Sequence, residues 1–214
     1  MSKQPSTLYI FLFVTLTAFF AGLILMGSNY FLKDRIETNI LNERYRSLFA
    51  LAGMDVTGKS AKEIKRLFAL RFSLQQTDQG KERLVFTTEK GKHSHIYPFS
   101  GMGFWGPIHG YIALDHTLSR ILGIVFTRQE ETPGLGAEIT GKAFRSQFTN
   151  RRFTHTENST EVLLRIKKAG EAKNPFHIDG ITGATETTGR VDLMIRDVLK
   201  SALLDRLRRD SHGN

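Results

Sequence analysis

Cysteine is absent from the 214 residues. Its absence excludes disulfides, Cys-ligated zinc and iron–sulfur clusters held by this polypeptide, so a redox role would need an organic cofactor. No G-x-S-x-G or H-E-x-x-H string occurs, and no other nucleophilic or metal-hydrolase apparatus is evident for turning over a substrate. Charge is missing from Gln4 to Leu32, and Leu8 to Met26 is dense in Leu, Ile, Phe and Val. About 20 such residues let an α-helix cross a bilayer. The run is too long for a signal-peptide core and no A-x-A site follows it. A single uncleaved transmembrane helix over residues 8–32 is therefore expected in a lipid bilayer, after a short tail at 1–7.

What is present bounds the remainder. A hydrophobic fraction of 40% suffices for one soluble domain of ordinary size beside the anchor. The net charge of +9 is spread along the chain with acidic residues mixed in. Its densest basic run, Arg206 to Arg209, closes an expected helix, where cations suit the dipole, and lacks interleaved aromatics for base stacking. Nucleic-acid binding is not expected. Apolar residues Ile36, Ile40, Leu41, Tyr45, Leu48 and Phe49 continue the first helix as a stalk up to Gly53. Ser60 reads as the cap of a second helix over 61–72, and these helices occupy residues 33–80. Short β-branched and aromatic runs at 84–88, 95–99, 108–114 and 121–127 read as strands. Lys90-Gly91-Lys92 and the glycines around Phe104 mark reversals. His93 and His95 share a strand face but find no third metal ligand, and read as a solvated strand edge. A short helix ends near Phe148, and a strand over 161–167 leads towards the stretch that matters most.

That stretch is Asp179-Gly180-Ile181-Thr182-Gly183-Ala184-Thr185, with an amphipathic helix following from about Thr188 to Arg208. Its glycines admit a bulky ligand close to the backbone. The helix N-terminus offers free N–H groups and the positive dipole end to a phosphate, and Thr185 brings a hydroxyl within reach. A plain turn with helix-capping residues uses the same letters.

The string resembles the D-x-x-[S/T]-G-A-T motif of the FMN-binding domain found in the C subunits of Na+-translocating NADH:quinone oxidoreductases (Nqr) and in the G subunits of the related Rnf complexes. Two more stretches share the resemblance. Glu131-Thr132-Pro133-Gly134-Leu135-Gly136 reproduces the family's E-T-P-G-L-G, and Gly101 to Ile108, with Trp105, is similar to its G-x-G-aromatic stretch. The match spans roughly residues 101–199. Thr182 stands where the family usually has serine, and Glu186 and Thr188 depart from the more apolar continuation of the Nqr members.

The resemblance implies an α+β fold, a twisted antiparallel sheet flanked by helices, over residues 81–208, with a tail at 209–214. It implies FMN joined to Thr185 as a phosphoester by a flavin transferase, with Asp179, Thr182, Gly183 and Ala184 forming the attachment motif. Glu131, Thr132, Pro133, Gly134, Leu135, Gly136 and Trp105 would border the flavin, Thr132 and Leu135 as the nearest contacts. It also implies an electron-carrier protein among the membrane subunits of such a complex, facing the cell exterior or periplasm. The basic residues after the span (Lys33, Arg35, Arg44, Arg46), against Lys3 before it, point the other way by the positive-inside rule. Competing readings are a free-standing membrane-anchored flavoprotein, a structural subunit with a decayed flavin site, and a tethered binding module for an acidic ligand.

Overall fold

The computed structural model describes residues 6–77, 80–88, 91–155, 159 and 161–212, the last three for their backbone only. Lys90 of the expected reversal, and residues 1–5 and 213–214 of the expected tails, lie outside the described residues. The chain divides into two units, residues 1–43 and 44–214.

The first unit is helical. It holds most of α1, Thr7–Leu51, a helix long and apolar enough to cross a membrane. Side chains such as Leu8, Phe11, Phe19, Ile24 and Met26 stand exposed along it, as a lipid-facing helix requires.

The second unit is built on a six-stranded sheet: β1 Phe72–Gln76, β2 Glu82–Thr87, β3 His93–Met102, β4 Pro107–Leu114, β5 Arg120–Arg128 and β6 Arg151–Arg152. They pair antiparallel in chain order, the pattern that short reversals permit. Two three-residue strands, β7 Arg165–Lys167 and β8 His177–Asp179, form a separate parallel pair. The α+β class expected from the sequence is the one found.

Period-two alternation gives the sheet two buried faces. Tyr97, Phe99, Ile108, Ile112, Ile124 and Phe126 point to one face, covered by Val191, Ile195, Val198, Leu199 and Leu203 of α4, Thr185–His212. Ile96, Tyr111, Ala113 and Val125 point to the other, covered by Leu48 and Phe49 of α1 and by Ile64 of α2, Ala61–Arg71. Ser60 caps α2 in a reciprocal box with Glu63, which satisfies two helix N–H groups.

Several boundaries differ from expectation. Phe72 leaves α2 and opens β1, where its ring packs with Phe49, Phe68 and Phe86. The strand at 161–167 shrinks to β7. α4 begins at Thr185, a turn before its expected start. His95 is a correction: β3 lies between β2 and β4, and His95 is 6% exposed, not on a solvated edge. The basic run at the end of α4 is likewise structural. Arg206 is buried and donates to the carbonyls of Leu118 (3.3 Å) and Ser159 (2.9 Å). Arg209 approaches His95 Nε2 at 3.4 Å. Asp205 accepts from Tyr97 at 3.1 Å and pairs with Arg83 at 3.4 Å.

Candidate functional site

Two β-turns of the same kind lie at the heart of the site. Thr132-Pro133-Gly134-Leu135 closes with Leu135 N–H donating to Thr132 O at 3.1 Å, and Ile181-Thr182-Gly183-Ala184 closes with Ala184 N–H donating to Ile181 O at 3.0 Å. Gly134 (φ +74°) and Gly183 (φ +76°) occupy the third position of each, where a left-handed residue is needed and glycine adopts it without strain. Each turn feeds a helix: the first a 3-10 turn over Gly136–Thr140, the second α4. The turns touch, because a Cβ built on Gly183 would lie 2.9 Å from Leu135 Cδ2.

Glu131 locks the turns to a third loop. It is 5% exposed, with both carboxylate oxygens occupied. Oε2 accepts from Thr187 Oγ1 at 2.7 Å, and Oε1 from the backbone N–H of Trp105 at 3.1 Å. Its own N–H donates to Gln129 Oε1 at 2.6 Å. The neighbouring glycines make room for it: a Cβ on Gly136 would sit 2.7 Å from Thr187 Oγ1 and 2.8 Å from Glu131 Oε2, and one on Gly103 would run into Glu131 Oε1. The segments carrying Trp105, Glu131–Gly136 and Thr182–Thr187 are thereby drawn together around one buried carboxylate.

The remaining expected residues fall around this lock. Thr185 is exposed at the first residue of α4, Thr182 is exposed in its turn, and Ala184 is buried beneath them. Thr132 and Pro133 are exposed. Leu135 is 43% exposed and Trp105 67%, with Phe104 edge-on to the indole at 5.1 Å. Asp179 ends β8, exchanges two hydrogen bonds with Gln147 through its backbone (2.8 and 3.1 Å), and accepts from Ala172 N–H at 3.0 Å. Glu131 thus faces the protein, and the surface is made by Thr182, Thr185, Trp105, Thr132 and Leu135. Thr187 and Gln147 have structural roles here with no local signature, since their partners lie 56 and 32 residues away.

This surface suits a phosphate joined to a flat apolar body. The first N–H groups of α4 have no intrahelical acceptor and carry the positive end of the helix dipole. A hydroxyl stands beside them, and exposed aromatic and aliphatic side chains flank the linked loops. A cleft of about 560 Å³ lined by Arg46, Lys142 and Arg145 shares none of these residues.

A second phosphate-type string does not make a site. Residues 53–60, Gly-Met-Asp-Val-Thr-Gly-Lys-Ser, fit the G-x-x-x-x-G-K-[S/T] pattern, which carries meaning only between a strand and a helix. Here the string joins α1 to α2. Thr57 N–H donates to Asp55 Oδ1 at 2.8 Å, and Ser60 N–H donates to Glu63 Oε2 at 2.8 Å. A carboxylate already holds the end of α2 that a phosphate would need.

Residues 103–200 match the family model described as "FMN-binding domain". Over 91% of its length the chain is 23% identical to the C subunit of the Na(+)-translocating NADH-quinone reductase of Pseudomonas aeruginosa, covering 92% of that protein. It is 37% identical to the corresponding Chlamydia pneumoniae protein, a match spanning 45% of this chain and 34% of that one. The crystal structure of the Parabacteroides distasonis counterpart superposes with a TM-score of 0.66 at 26% identity, covering 82% of this chain and 96% of that one. The linked turns and the exposed threonine lie inside the matched segment. Over residues 103–200 the chain is therefore similar to the FMN-binding domain family, on a fold shared with the C subunit of the Na(+)-translocating NADH-quinone reductase of Parabacteroides distasonis.

Proposed function

We propose that the chain is a membrane-anchored electron-transfer subunit that carries FMN as a phosphoester on Thr185, with its folded domain outside the cytoplasmic membrane and its partners the membrane subunits of an Nqr- or Rnf-type complex. The observation that carries this reading is the exposed Thr185 at the head of α4, beside a turn pinned to the E-T-P-G-L-G loop. Bound FMN supplies the redox chemistry, accepting two electrons and releasing them singly.

The chain's own residues do the rest. Thr185 Oγ1 attacks the phosphorus of a flavin dinucleotide donor brought by a flavin transferase. The new Oγ1–P bond forms as the donor's pyrophosphate bond breaks, the hydroxyl proton leaves, and the nucleoside monophosphate departs. The N–H groups at the start of α4 would hold the remaining phosphate oxygens. Gly183, with no side chain, lets the group approach the backbone, while Leu135 and Trp105 border its apolar part. Asp179 belongs to the segment that the transferase reads.

Intact-mass measurement of the full chain co-expressed with a flavin transferase tests this. The expected result is one added FMN less water, with in-gel flavin fluorescence, and loss of both in Thr185→Ala. A native chain at its unmodified mass under these conditions overturns the reading.

A further inference from the structure

Most glycines of the second unit have a visible reason to be glycine. Some adopt left-handed φ, as Gly53, Gly58, Gly134 and Gly183 do. Others sit where a Cβ would press on a neighbour, as at Gly101, Gly110, Gly136 and Gly180. Among the described residues of that unit, Gly189 alone has neither reason. It lies within α4, its φ is not left-handed, and a Cβ built there meets nothing within 4 Å. Glycine is also among the poorest helix formers, so local preference does not favour it.

Its position supplies the missing reason. Gly189 is four residues after Thr185, one turn along the same edge of α4. A helical side chain leans towards the N-terminus and covers the surface over the preceding turn. A side chain at 189 would therefore cover the surface beside Thr185. The structure assigns Gly189 as a clearance residue: its missing side chain keeps open the space beside Thr185 Oγ1 for the phosphate esterified there and the first carbons of its sugar alcohol. This rests on the FMN reading above, and adds to it a positioning residue outside both sequence signatures.

The test uses the full chain in detergent with a flavin transferase and excess flavin dinucleotide, run to its endpoint. Wild type, Gly189→Ala, Gly189→Leu and the distant α4 variant Lys200→Leu are compared by intact mass, and loaded chains by flavin fluorescence polarisation. Unfolding midpoints of the two Gly189 variants are read in a Thr185→Ala background, so that attached flavin does not contribute. Both substitutions improve helix propensity, so the midpoint rises by about 2–4 °C. The same substitutions act oppositely on loading: Gly189→Leu falls at least tenfold at endpoint, Gly189→Ala loads with altered polarisation, and Lys200→Leu matches wild type. Endpoint loading of Gly189→Leu equal to wild type overturns the inference alone, as does an unchanged polarisation in a fully loaded Gly189→Ala. An unmodified wild type overturns the FMN reading and this inference together.

Discussion

Both carboxylate oxygens of Glu131 are engaged inside the protein, which turns a residue of the flavin signature into a brace for its neighbours. Glu131→Ala strands the Trp105 N–H and the Thr187 hydroxyl and opens a cavity between three loops. A loss of about 2–4 kcal/mol is expected for such a change, measured by urea unfolding of the full chain in detergent. Glu131→Gln keeps one acceptor oxygen and falls between that variant and wild type. An alanine variant as stable as wild type would show that the three loops are held by something else. Sequence alone reaches Glu131 through the six-letter signature but not its orientation, because burial between loops is a non-local property. The start of α4 at Thr185, a turn before Thr188, has a structural support of its own. β-Branched residues argue against a helical start, yet Thr187 bonds Glu131 and Thr188 Oγ1 bonds Ala184 O at 3.0 Å. One tertiary bond and one local bond to the preceding turn offset the propensity there.

Among the elements, the long periodic ones were legible and the short ones were not. β2 to β5 and α2 follow from alternation and capping, within a few residues at their ends. β1 has a single buried residue, Phe72, so no period-two signal exists to read, and β6, β7 and β8 are too short to carry one. The join between α4 and β3 was also invisible, although it has a clear consequence for stability. His95 lies buried in β3, and burial first, then the cations Arg209 and Arg83 and its neighbour His93, hold its pKa down at about 4, against a weaker opposing pull from Asp115. The unfolded chain takes up this proton near pH 6.5, so the fold binds fewer protons than the unfolded state between those values. Stability from His95 is thus complete above about pH 6.5 and is lost as pH falls towards 4, by up to roughly 3 kcal/mol. Urea midpoints between pH 7 and pH 4 check this, with a shallower acid slope expected in His95→Gln. An identical slope in that variant would place the acid sensitivity elsewhere.

For the whole molecule, the absence of cysteine becomes an experimental convenience. Thr127 is exposed on β5, and Thr127→Cys introduces a unique thiol into the folded domain. A membrane-impermeant maleimide is expected to label it in intact cells, in keeping with a domain outside the cytoplasmic membrane. Labelling only after lysis would instead follow the positive-inside count of Lys33, Arg35, Arg44 and Arg46. The helix bearing Thr185 adds a consequence of its own. α4 is fixed at its far end by Asp205 to Tyr97 and Arg83, and by Arg206 to the carbonyls of Leu118 and Ser159. A chain clipped after Leu203 keeps every letter of both flavin signatures but loses the anchors that hold the rod in register. On the proposed FMN reading, flavin loading at Thr185 would then report on the integrity of a segment some twenty residues away, and clipped copies are expected to carry less flavin than the full chain by in-gel fluorescence.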